Sequence, residues 1–139
     1  MSQITTKMGF LDKIFGGSAP EEKNENKVEP KFYTLDNVKL LDEVDAISQT
    51  KPVVLFKHST RCSISRFALK RFDAEFNYTD DQIDWYLLDL LNHRDISNEM
   101  AHRYNVQHQS PQIIVVRNGK AVFTSTHDGI DAHDLKQFV

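Results

Sequence analysis

The sequence predicts an α/β domain built on a central mixed sheet of about five strands, with helices on both faces. Short apolar runs without polar alternation, above all Val53 to Phe56, read as strands covered on both sides, and they alternate with stretches of helical period. Asn118-Gly119 between two apolar runs is a strong hairpin signal, so the alternation ends in an antiparallel pair. A chain of 139 residues, 40% apolar and 27% charged, supplies one domain with one modest core.

Taken in order, residues 1–31 read as a leader and residues 32–139 as the folded domain. Phe10, Leu11, Ile14 and Phe15 stand at helix-compatible spacing, a Gly-Gly stop follows, and Ser18 to Lys31 is a polar linker rich in Glu and Lys. The apolar face of Met8 to Phe15 suits a membrane surface or a partner; the plainer reading is a helical turn docked on the domain or frayed. Met8 to Phe15 is short, carries Asp12 and Lys13 and lacks a cleavage region, which speaks against a signal peptide. Phe32 to Thr34 suggests a short strand, and Leu35 to Ile47 an amphipathic helix with Val38, Leu41, Val44 and Ile47 on one face.

Val53 to Phe56 then forms the central strand. Ser59 and Thr60 can cap the helix that follows, in which Ile64, Ala68, Phe72 and Phe76 recur at a spacing of four. Gln82 to Leu91 reads as another buried strand. Asp95 caps a helix with Ile96, Met100 and Tyr104 on one face; Pro111 to Val116 is a core strand, and Ala121 to Ser125 pairs back on it. A last helix from about Asp131 buries Ile130, Leu135 and Phe138. The Val53 to Phe56 strand is expected between a parallel Ile83 to Leu88 strand and an antiparallel Ile113 to Val116 strand.

The chemistry gathers at the only cysteine. Cys62 falls where the central strand gives way to a helix, in the expected first turn, where unsatisfied N–H groups and the positive end of the helix favour a thiolate. Lys57, Arg61 and Arg66 add positive charge nearby. Free cysteines are often buried apolar residues, but Ser59, Thr60, Arg61, Ser63 and Ser65 make an apolar niche around this one a poor fit. His58 and His108 with a single cysteine lack a metal-ligand spacing and read as polar packing, so no metal is expected. Asp89, Asp95, Asp128 and Asp131 read as loop and cap residues.

Composition narrows the class further. A net charge of -3 argues against a general nucleic-acid binder, and no apolar stretch approaches membrane-spanning length. One cysteine excludes an intramolecular disulfide, so any disulfide joins another molecule, and the expected address is a reducing cytoplasm.

The order β-α-β-α-β-α-β-β-α, with a cysteine opening the helix after the second strand, is that of the thioredoxin fold. FKHSTRC-S-IS followed by HQSPQ-IIVV-R-NG about fifty residues later resembles the monothiol bacilliredoxin family, the YtxJ-like proteins of bacillithiol-using bacteria, over roughly Phe32 to Val139. Ser63 departs from the family's usual proline and leaves an N–H in the turn that proline would remove.

The resemblance implies a monothiol thiol-disulfide oxidoreductase in which Cys62 is the nucleophile and Thr60, Arg61, Ser63, Ser65, Ser110 and Pro111 support it. Ser110-Pro111 is similar to the cis-proline element that thioredoxin-fold proteins set beside the reactive sulfur. Bacillithiol, with its glucosamine and malate, is the implied thiol co-substrate, with no bound cofactor. Lys57, Arg61, His108 and Gln112 are the candidates to meet it, Arg61 foremost. The implied partners are bacillithiolated client proteins, a low-molecular-weight thiol and a disulfide reductase. Two other classes stay open: a non-catalytic thioredoxin-like binding module, and a glutathione-linked monothiol glutaredoxin-like protein, which ranks lower because the C-G-F-S site and Gly-Gly turn of that family are missing.

Overall fold

The computed structural model describes residues 31–139; the leader segment and polar linker lie outside the described residues, apart from Lys31. The element order is β1 (Tyr33–Thr34), α1 (Leu40–Ile47), β2 (Val53–His58), α2 (Ser63–Glu75), β3 (Asp84–Asp89), α3 (Arg94–Arg103), β4 (Gln112–Arg117) and β5 (Lys120–Thr126). Two 3₁₀ segments follow, His127–Gly129 and Ala132–Phe138. The strands form one sheet in the order β1-β3-β2-β4-β5. As the sequence predicts, β2 lies between parallel β3 and antiparallel β4. Every residue of β2 is buried, which is why its sequence shows no alternation.

Alternate side chains of β2 feed two cores. Val53 and Leu55 pack with Leu41 and Val44 of α1 and with Ile96 and Met100 of α3. Val54 and Phe56 face the other way, against Ala68 and Phe72 of α2 and Leu135 of the closing 3₁₀ helix. Phe72 is the aromatic centre of that second core, with ring centroids 5.3 Å from Phe56 and 4.9 Å from Trp85. The same parity puts Lys57 on the α1 and α3 side of the sheet and His58 on the α2 side. This division decides which chemistry each can join.

Several boundaries differ from the sequence reading for local reasons. Asn37 Oδ1 accepts from the Lys39 N–H at 2.9 Å, a turn that delays α1 to Leu40 and leaves Val38 exposed while Leu35 extends the β1 pairing through Leu87. The side chain of Gln82 closes a turn on Thr79, so β3 begins at Asp84 instead of Gln82. His93, not Asp95, is the N-cap of α3, and Asp95 sits in its first turn. The last helix is 3₁₀, with Asp131 accepting from the His133 N–H at its start as a cap and Phe138 only half-buried. Asn118 and Gly119 both take positive φ, 56° and 75°, the geometry that a two-residue hairpin demands.

Candidate active site

The C-terminal ends of β2 and β3 and the N-terminal end of β4 meet at one edge of the sheet, because His58 pairs with Asp89 and Lys57 with Gln112. Cys62 leaves β2 at that edge and Pro111 enters β4 there. The Ser110-Pro111 peptide bond is cis, as expected from the sequence. The thiol is half-buried.

Cys62 is itself the N-cap of α2, with extended φ -106° and ψ 122°, where the sequence suggested Ser59 or Thr60 as cap and Cys62 inside the first turn. The turn before it explains the shift. Cys62 N–H donates to Ser59 O at 3.2 Å, so residues 59–62 close on themselves, and the first helical bond runs from Arg66 N–H to Cys62 O at 3.0 Å. The Cys62 side chain makes no capping hydrogen bond, which leaves the sulfur free at the positive end of the helix. Arg66 ties the turn from outside by donating to Thr60 O at 3.2 Å.

Ser65 is fully buried beneath this turn. Its Oγ accepts from the Ser59 N–H at 3.0 Å and lies 2.7 Å from Nδ1 of His58. One hydroxyl thus holds both the cysteine turn and the buried imidazole. Burial first, and then the Arg66 charge, hold His58 below its ordinary range, with Asp89 pulling the other way. Ser65 also overturns the expected helix face: Ala68, Phe72 and Phe76 are buried, but Ile64 points to solvent because Ser65 fills the first inward position.

On the opposite face of the sheet Lys57 is fully buried, and its Nζ lies 2.7 Å from Nδ1 of His108 and 3.5 Å from Ser97 Oγ. An ammonium can only donate, so Nδ1 of His108 accepts and the ring proton sits on Nε2. Burial pushes Lys57 down to about 8. Burial, Lys57 and Arg94 together hold His108 below its ordinary range. Gln112 is buried beside Lys57 and clasps the loop ahead of the cis peptide, accepting from Gln109 N–H at 3.2 Å and donating to Gln107 O at 3.1 Å.

Of the four residues expected to meet a thiol ligand, Arg61 and His108 are exposed, whereas Lys57 and Gln112 are buried, Lys57 against His108 and Gln112 against the loop that carries it. Thr60 and Ser63 are exposed beside the cysteine, and Ser110 is half-buried with an Oγ that has no partner among the described residues. The two histidines of the sequence reading sit on opposite faces of the sheet and do not meet. Sequence reasoning missed Ser97 and Arg94, whose only signal was their position in the opening residues of α3.

Among the described residues no helix is long and apolar enough to cross a membrane. The pattern of the family described as monothiol bacilliredoxin BrxC matches residues 33–135. A protein solved as a candidate oxidoreductase with a thioredoxin fold is 33% identical, with a TM-score of 0.67, over 77% of this chain and 92% of that one. Thioredoxin from Malassezia sympodialis superposes with a TM-score of 0.59 at 17% identity, covering 78% of this chain and 88% of its own. Spinach chloroplast thioredoxin f, short form, gives 0.57 at 17% identity over 78% of this chain and 89% of its own, a likeness of fold alone.

Proposed function

The chain belongs to the monothiol bacilliredoxin family, a thiol-redox family on a thioredoxin fold, and from that premise we propose that it removes bacillithiol from protein mixed disulfides through Cys62. The observation that carries the reading is the pairing of the chain's sole thiol, free at the start of α2, with the cis Ser110-Pro111 segment at the same sheet edge, where Ser65 replaces any second thiol.

Cys62 thiolate attacks the bacillithiol sulfur of the mixed disulfide. The client–sulfur bond breaks, the client leaves as thiolate, and a Cys62–bacillithiol disulfide forms; the number of disulfide bonds is unchanged. Ser65 has no sulfur to resolve this adduct, and its hydroxyl is already engaged by His58 and Ser59. A second low-molecular-weight thiolate, or a reductase supplying two electrons, must regenerate Cys62. The malate carboxylates of bacillithiol call for cations near the thiol; Arg61 offers one directly, and exposed His108 presents its Nε2–H with the Lys57 charge behind it.

Intact mass after treatment with bacillithiol disulfide or with glutathione disulfide tests the choice of thiol. A bacillithiol adduct confined to Cys62 and formed faster than the glutathione adduct is the expected result; faster glutathionylation would favour a glutaredoxin-like reading, and no adduct with either a non-catalytic binding module.

A further inference from the structure

The opening turns of α2 leave an apolar pair uncovered beside the thiol. Ile64 is 54% exposed and Phe67 76%, the highest value among the large apolar side chains of the described residues. Three positions apart, they share one face of the helix, and that face begins two residues after Cys62. Packing does not require them, since α2 anchors itself through Ser65, Ala68 and Phe72. Their exposure carries a cost in apolar hydration that a bound partner would remove.

The frame around the pair is cationic. Arg61, Arg66 and Lys70 are exposed, and no acidic residue occurs between Arg61 and Asp73. The helix dipole would favour acidic residues in the first turn of α2, yet that turn has none. The charge pattern therefore runs against the helix's own preference, and against a chain whose net charge is -3. Lys70 has no hydrogen bond or ion pair with any described residue, and Arg66 uses one guanidinium donor on Thr60 O.

We propose that this face of α2 docks the client protein, and that the preferred client carries an acidic segment with an apolar side chain next to its thiol-modified cysteine. The inference rests on the thiol-exchange reading above and names the substrate class of that same site. The apolar side chain covers Phe67 and Ile64 while the carboxylates meet Arg66 and Lys70, so the mixed disulfide is held over Cys62. A free low-molecular-weight disulfide can meet Arg61 but needs neither the apolar pair nor Lys70.

Two peptides test it, each with one cysteine blocked by bacillithiol, the first flanked by Asp, Glu and Leu and the second by Lys and Ser. Both are offered to the full-length protein beside bacillithiol disulfide, and adduct formation on Cys62 is timed by intact mass. The wild type should prefer the acidic, apolar peptide by about tenfold, a preference that narrows as salt is added. Phe67→Ser and Lys70→Glu, both at exposed positions, should each reduce that preference by about threefold or more while exchange with bacillithiol disulfide stays within about twofold. An unchanged preference in both variants, or equal slowing toward all three disulfides, overturns the docking face. No adduct from any of the three, bacillithiol disulfide included, removes the thiol-exchange reading itself and the docking proposal with it.

Discussion

Lys57 Nζ and His108 Nδ1 lie 2.7 Å apart, joining a side chain with no exposed surface to one that is partly covered but reaches solvent on the loop before the cis peptide. Among the described residues no carboxylate pairs with Lys57, so its charge is buried without a counter-ion. Such a charge is costly, and it is free to respond to an anion brought to His108.

Replacing this lysine by an apolar side chain of similar length should therefore separate its two effects. In Lys57→Met the His108 midpoint, followed by NMR, should rise toward the ordinary histidine value, because burial remains but the Lys57 charge is gone. The folded Lys57 value of about 8 lies below the ordinary lysine value of 10.5, so the native state binds fewer protons in that window and stability rises as pH climbs through it. Urea midpoints of the wild type should accordingly gain on those of Lys57→Met between these pH values. An unmoved His108 midpoint would show that the pair is not electrostatically joined.

Ser65→Ala removes the acceptor of the Ser59 N–H and the partner of His58 at a fully buried position. The expected cost is about 1–3 kcal/mol in urea denaturation, the range for stranding buried polar groups. Adduct formation on Cys62 should survive, since Ser65 supplies no sulfur. Loss of the adduct in a folded Ser65→Ala protein would give the hydroxyl a direct chemical role.

Gln112 is expected to matter through the loop it clasps. In Gln112→Ala the two hydrogen bonds to Gln107 and Gln109 are lost, and hydrogen exchange of the 107–110 amides should quicken by about tenfold or more, while the β4 amides stay protected. Slower exchange chemistry at Cys62 should accompany it. Unchanged loop protection would remove Gln112 from the account.

Arg61 is exposed next to the thiol and has no ion pair with any described residue. Arg61→Ala should slow exchange with bacillithiol disulfide more than with a small neutral disulfide, by about threefold, and added salt should narrow the difference. Equal slowing toward both would restrict Arg61 to thiol ionisation or to local structure.

The sheet was legible in the sequence because β2 is buried on both faces and β5 is joined by an Asn-Gly turn, two signals that depend on few distant contacts. The position of the cysteine at the end of β2 followed from the same order of elements, whereas the cis proline beside it came only from the family resemblance of the HQSPQ segment. The Lys57–His108 and His58–Ser65 pairs were not legible as pairs: each joins residues through parity on β2 and a partner from another segment, and the two histidines look alike in sequence although the sheet separates them. Helix periodicity also failed at Ile64, where a hydroxyl with two polar partners took the inward position ahead of an isoleucine. That exchange is what leaves an apolar side chain beside the thiol.

The most direct test of the central claim is transfer from a purified client protein carrying a bacillithiol mixed disulfide, followed by the intact masses of both proteins. The account predicts that the client returns to its free thiol as the bacillithiol mass appears on the wild-type chain at Cys62, and that Cys62→Ser neither gains the mass nor releases the client. Release of the client by Cys62→Ser at the wild-type rate would contradict it.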